Sequence, residues 1–240
     1  PGGLIPGRSS NGEITAPRRS NLIRKLYRFL DSKRSQFPGS RAVIARLDYD
    51  PNRNCKISLV VFTEGCLAYV LAAEANRKGD NLINMTESNE PSPGDSLKLA
   101  RVSSGSLVYN LSTAPGNPGQ YIRAAGSAAI LVKTNKAVSL LKLKSGEYRY
   151  FFSDTLAVLG KVNSSDYFLK SWRLAGKARR LGFRPRTRAL VKNPVDHPMG
   201  GRTKGGTPKL TPKGKICLNT ETKITRNKLV VIKAREKKKI

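Results

Sequence analysis

Short apolar runs separated by turn signals repeat from about residue 22 to residue 162. Residues 55–62 (CKISLVVF) are dense in β-branched and aromatic side chains and predict the clearest strand. Residues 41–49 and 66–71 flank it, with Asp50-Pro51-Asn52-Arg53 and Thr63-Glu64-Gly65 as the intervening turns. Residues 106–111 predict another short strand. Four more follow at 129–133, 137–143, 147–152 and 156–162, turned by Thr134-Asn135-Lys136 and Ser145-Gly146. Strands this close together leave no room for crossover helices. They predict a mainly β chain built of small barrels rather than a parallel sheet.

The remaining segments punctuate that pattern. Residues 22–30 fit either a first strand or a short helix. Residues 91–95 read as a loop, and Pro115-Gly116-Asn117-Pro118-Gly119 reads as the clearest domain boundary before residue 160. Beyond residue 163 the alternation fades. Residues 166–181 suggest a short helix ended by Gly182, and 228–233 alone look strand-like again. Residues 1–21, rich in Gly, Pro, Ser and Arg, read as an extended arm.

Charge changes this picture most. The chain carries a net charge of +29 over 240 residues. Residues 40–110 hold eight basic and eight acidic side chains, whereas residues 161–240 hold 23 against four. A neutral folded block thus lies between basic ends. So much like charge repels itself in a compact monomer. The default partner is a nucleic acid, because each neutralised phosphate releases condensed counterions. A membrane surface is disfavoured, since no basic amphipathic helix with a broad apolar face is present. No apolar run is long enough to span a bilayer as a helix. Cys55, Cys66 and Cys217 are too few and too scattered for a disulfide framework or a zinc site, and they suit a reducing compartment. Because the chain begins at Pro1 rather than Met, a removed or omitted leader is expected.

Residues 176–206 (GKARRLGFRPRTRALVKNPVDHPMGGRTKGG) contain little that could form a core. Arg179, Arg180, Arg184, Arg186 and Arg188 place five guanidinium forks within ten residues. The planar fork grips phosphate bidentately and stacks on bases. Pro185, Pro194 and Pro198 hold the backbone extended, while Gly200, Gly201, Gly205 and Gly206 permit close approach to phosphates. The segment is expected to take its shape against a polyanion.

Within this segment the run Asn193-Pro194-Val195-Asp196-His197-Pro198-Met199-Gly200-Gly201 is specific. It resembles the hallmark of the universal large-subunit ribosomal protein two family. Tyr49-Asp50-Pro51-Asn52-Arg53, Gly119-Gln120-Tyr121-Ile122-Arg123-Ala124-Ala125-Gly126, Leu174-Ala175-Gly176-Lys177-Ala178-Arg179 and Gly182-Phe183-Arg184-Pro185 are similar to further family segments, in the same order. The resemblance implies an OB-fold barrel over residues 22–112 and an SH3-like barrel over 117–190 with a short helical end. An extended arm would precede them at 1–21, and an rRNA-threading tail would follow at 191–240. It implies a structural constituent of the large ribosomal subunit that organises rRNA near the peptidyl transferase region and supports subunit association and tRNA binding. Neighbouring ribosomal proteins and the small subunit are the implied partners, with no homo-oligomer. Met199 stands where the bacterial form has a second histidine, and residues 202–215 replace a Gly- and Glu-containing loop. Such drift favours a mitochondrial ribosome in the matrix, with a plastid or the bacterial cytoplasm as alternatives.

The expected rRNA contacts are Arg18, Arg19, Arg24, Lys25, Arg53, Arg123, Lys177, Arg179, Arg180, Arg184, Arg186, Arg188, Asn193, His197, Gly200, Gly201, Arg202 and Lys204. For Arg53 and the arm residues, ordinary surface roles fit as well. Tyr121 and Ile122 fit either stacking on RNA or barrel packing. His197, the single histidine, would serve as a hydrogen-bond donor rather than a general base, since no nucleophile motif accompanies it. Walker-type phosphate loops are absent, and the chain is not expected to be an enzyme. No cofactor is expected beyond magnesium carried by the rRNA. The competing reading is a free OB-type RNA-binding or RNA-folding factor.

Overall fold

The computed structural model describes residues 7–19, 25–34, 37–85, 90–201, 209–217 and 229–232. The chain divides into two compact units, one of residues 25–170 with 227–240 and one of residues 1–24 with 171–226.

The first unit is a β structure. Its four-stranded sheet is built from β1 (Arg41–Asp48), β2 (Ile57–Phe62), β3 (Leu67–Leu71) and β4 (Asn81–Ile83), in the order β3-β2-β1-β4. The Asp50-Pro51-Asn52-Arg53 turn forms because the Asp50 carboxylate accepts the Asn52 N–H at 2.8 Å, the local bond that makes Asx turns. β2 meets both its neighbours antiparallel, and its Ile57 and Val60 are almost fully buried.

The second sheet has seven strands. It comprises β5 (Ser96–Lys98), β6 (Leu107–Tyr109), β9 (Ala129–Thr134), β10 (Val138–Lys142), β11 (Tyr148–Phe152), β12 (Leu156–Leu159) and β13 (Val230–Ile232), in the order β13-β11-β10-β9-β6-β12-β5. A two-stranded ribbon of β7 (Leu111–Ser112) and β8 (Gly119–Tyr121) lies between β6 and β9 in sequence. Strands on both sides of the Pro115–Gly119 loop therefore share one sheet: Leu107 pairs with Ile130, and Val108 with Ala129. Among the described residues, strand pairing closes neither sheet into a ring. The architecture is mainly β, as the strand spacing predicts.

Three apolar clusters hold this unit. One sits under the seven-stranded sheet, around Leu97, Val108, Leu131, Leu141 and Phe151. Another lies under the four-stranded sheet, around Ile44, Val60 and Leu82. The third joins the two sheets through Cys55, Leu71, Ala73, Tyr109, Val158 and Val162. Tyr109 is fully buried there, and its hydroxyl donates to the Leu71 carbonyl at 3.1 Å. Burial of that phenol in an apolar seam pushes its pKa far above the ordinary tyrosine value, so it stays a neutral donor.

Two expected elements differ. Residues 25–30 form neither strand nor helix, and 22–24 lie outside the described residues. Leu30 is partly buried against the third cluster, and the Asp31 N–H donates to the Tyr69 carbonyl at 2.8 Å. The segment thus finds its partners in other elements rather than within itself. Residues 166–181 are not one helix. A 3-10 segment Ser165–Leu169 is followed by α1 (Ala175–Arg180), because Arg173 between them takes a left-handed φ of 53° that no α-helix contains. Gly182, with φ of 95°, ends α1 as expected.

Candidate nucleic-acid interface

The unit of residues 1–24 and 171–226 contains 19 Lys and Arg against three Asp and Glu. None of the described apolar clusters includes a residue from it. What orders it instead is a cationic stack and a knot of backbone hydrogen bonds. Trp172 stacks on Phe183, with centroids 5.4 Å apart and planes 25° off parallel, and the Arg19 guanidinium lies 5.3 Å from the Phe183 centroid. Arg19 and Phe183 form an antiparallel bridge, and the Arg184 N–H donates to the Arg18 carbonyl at 3.0 Å. Arg18 and Arg19 are thereby gathered with Arg184 from positions far apart in the sequence, and all three are exposed.

In α1, Lys177, Arg179 and Arg180 occupy the last turn, where the helix dipole favours cations. Lys177 and Arg180 are exposed, while Arg179 carries a buried Nη1 with no hydrogen-bond partner among the described residues. Arg184, Arg186 and Arg188 follow on an exposed segment without strand or helix. Lys25 is also exposed; Arg24, Arg202 and Lys204 lie outside the described residues.

The Asn193–Gly201 stretch folds back on itself. The Asn193 carbonyl accepts the N–H groups of Asp196 and His197, and the Lys192 carbonyl accepts that of Gly201 at 3.0 Å. His197 is buried at 6% exposure, and its Nδ1 accepts the Met199 N–H at 3.0 Å. An accepting nitrogen holds no proton, so the neutral ring carries its proton on Nε2. That N–H has no hydrogen-bond partner among the described residues. Because Met199 occupies Nδ1, Asp196 does not orient the ring, and no Asp–His pair exists for base catalysis. Met199 is itself buried, and its sulfur accepts the Leu210 N–H at 3.3 Å. Nothing in the sequence pattern assigned Met199 this structural place.

Gly200 and Gly201 are required by space. A Cβ on Gly200 would meet the Lys192 carbonyl oxygen at 2.5 Å and the Asn193 carbonyl carbon at 2.6 Å; on Gly201, at φ 72°, it would meet the Pro194 ring. Gly200→Ala therefore forces the backbone apart, at about 1–3 kcal/mol. If RNA grips this loop as folded, rRNA affinity falls about 5- to 150-fold. The thermal midpoint of the β sheets, which contain no part of the loop, stays unchanged. Titration and melting of the same variant check both outcomes.

A second group lies in the β unit. Arg53 donates to the fully buried Asp50 carboxylate at 2.5 Å, and its guanidinium sits 5.9 Å from the Tyr27 centroid. Burial alone would lower the Arg53 pKa, but hydrogen bonding to Asp50 and Tyr27 raises it. Arg123 donates to the Gly119 carbonyl at 3.2 Å, and its own carbonyl lies against the Cys55 thiol. Burial, then the nearby Arg53 charge, lower the Arg123 pKa. Two arginines 70 positions apart thus converge beside exposed Tyr27, an anion-seeking arrangement. Tyr27 escaped the sequence reading, although Tyr in a basic segment was a usable signal. Tyr121 and Ile122 pack against the first cluster; Tyr121 lies 5.3 Å from Phe151, and Arg149 covers it at 5.0 Å. Both thus pack within the β unit.

Comparison with known proteins agrees with this geometry. Residues 4–84 match the family model described as Ribosomal Proteins L2, RNA binding N-terminal domain, and residues 92–221 match Ribosomal Proteins L2, C-terminal domain. The chain is 40% identical over 220 residues to the large ribosomal subunit protein uL2 of Chelativorans sp., covering 90% of this chain and 79% of that protein. It is 39% identical over 220 residues to the protein of the same name from Rhodospirillum centenum, covering 90% and 80%. To that of Dinoroseobacter shibae it is 37% identical over 239 residues, covering 97% and 84%.

Proposed function

The chain belongs to the ribosomal protein L2 family, and on that premise we propose that it is a structural, non-enzymatic constituent of the large ribosomal subunit that binds rRNA. One observation carries the reading: a unit with 19 basic side chains has no described apolar cluster to hold it. Such a unit has little apolar surface to bury and a like charge that repels itself, and rRNA would supply the polyanion that offsets it. The exposed forks of Arg18, Arg19, Arg184, Arg186 and Arg188 serve phosphates. The Nε2–H of His197 suits a base or phosphate acceptor. The Arg53–Arg123 pair offers a second, preformed anion site on the β unit.

The finer placement extends this reading. The basic unit would lie near the peptidyl transferase region, with support of tRNA binding and of contact with the small subunit. We favour a mitochondrial ribosome because Met199 and residues 202–215 depart from the bacterial pattern. The three relatives are bacterial, and a bacterial cytoplasm accommodates the same molecule. Subcellular fractionation with an antibody to the chain separates the two.

Sedimentation of the native complex at moderate salt tests the central reading. The chain is expected to travel with large subunits. Recovery from the soluble pool, with comparable affinity for unrelated single strands, would favour a free RNA-folding factor instead.

A further inference from the structure

The seven-stranded sheet exposes several large apolar side chains on the face turned away from its core. Leu131, Leu141 and Phe151 point inward and fill the first cluster. The alternate row carries Leu107, Ile130, Val132, Leu140, Tyr150 and Phe152. Register places these on one face, with Leu107 opposite Ile130 and Leu140 opposite Tyr150. A register shift between Leu140 and Leu141 lies beside Val132. Phe152, Leu107, Val132 and Ile130 are 46%, 42%, 41% and 39% exposed. An antiparallel sheet with one face in water alternates apolar with polar residues. Here the outward row is mostly apolar, interrupted by Lys133 opposite Leu140 and Lys142 opposite Ile130, and exposed apolar side chains gathered on one face mark an interface.

The surrounding charges narrow what covers it. Lys133, in β9, and Lys142, at the end of β10, lie on this face, and Lys136 is exposed at the β9–β10 turn. Of the nearby acids, Asp154 already pairs with Lys98 at 3.4 Å, leaving Glu147 against those lysines. A second copy of a chain with net charge +29 is repelled. RNA would satisfy the lysines but leave the aliphatic side chains without a counterpart, since nucleic-acid interfaces are polar and strongly charged.

We propose that this face docks a neighbouring protein of the ribosomal particle, one that presents an apolar strip bordered by Asp and Glu. The proposal rests on the ribosomal reading only for where that partner is found. The test places photoreactive p-benzoylphenylalanine at the exposed Val132 of the full chain, in cells, and irradiates sedimented large subunits. The expected product is a covalent link to one protein, through a peptide that combines apolar residues with Asp or Glu. Links to rRNA or to a second copy, or no link in particles that contain the chain, overturn the proposal. In parallel, Ile130→Asp with Leu140→Asp should deplete that protein from the particle at least about tenfold while this chain's own content is unchanged; retention of the protein overturns the proposal too. A chain absent from large subunits altogether would refute the ribosomal reading instead, which sedimentation reports before irradiation.

Discussion

Binding of the full chain to large-subunit rRNA is expected to weaken by about 10⁴-fold as salt rises from about 50 to about 200 mM, for about eight phosphates neutralised. The basis is a set of exposed cations without carboxylate partners. Arg18, Arg19, Lys177, Arg180, Arg184, Arg186 and Arg188 are exposed, and none pairs with Asp or Glu among the described residues. Arg123, whose pKa burial and the nearby Arg53 charge lower, would gain a counter-charge from an incoming anion. A plot of log affinity against log salt should slope at about −6 to −7. Arg184→Ala with Arg186→Ala should flatten it by about 2, since each arginine removed frees about one phosphate to keep its counterions. A nearly flat plot for the unaltered chain would mean that these cations are not the grip.

Arg53→Met is expected to destabilise the β unit by about 3–5 kcal/mol, because the fully buried Asp50 carboxylate loses its counter-ion. For a unit of this size the midpoint falls by about 6–20 °C. The physical cost is the stranded charge rather than the lost pair. The double variant Arg53→Met, Asp50→Leu should therefore recover most of the loss, short of about 1 kcal/mol for the Asn52 N–H that Asp50 also accepts. Thermal melts of the three proteins decide the matter; an unchanged midpoint in the single variant would show the pair to be solvated and weak. In the double variant the fold is restored without the cation. Any remaining loss of rRNA affinity then measures what Arg53 contributes to RNA, separate from what it contributes to the turn.

Some of this was legible in the sequence. Residues 55–62 announced β2 because β-branched side chains fit a half-buried pleat wherever they are placed. The Asp50 turn was legible because its hydrogen bond spans two residues. So was the basic unit, since a run of Arg, Gly and Pro has nothing to bury in any conformation. The site was less so. Arg53 and Arg123 were both expected at RNA, yet nothing along the chain says that they meet, or that Arg53 is first claimed by Asp50. Residues 166–181 show the converse: local helix preference was real at Ala175–Arg180 but was interrupted at Arg173.

By itself the sequence determined what depends on neighbours a few positions apart or on sums over a segment: strand preference, turn chemistry, charge asymmetry and the family resemblance of residues 193–201. The tertiary structure alone decided which strands pair across the Pro115–Gly119 loop, the burial of Met199 beside His197, the joining of Arg19 to Phe183, and the mostly apolar row left facing outward from the second sheet. Most of those depend on contacts between residues tens of positions apart. Side-chain packing and strand register select them, and no local preference encodes either.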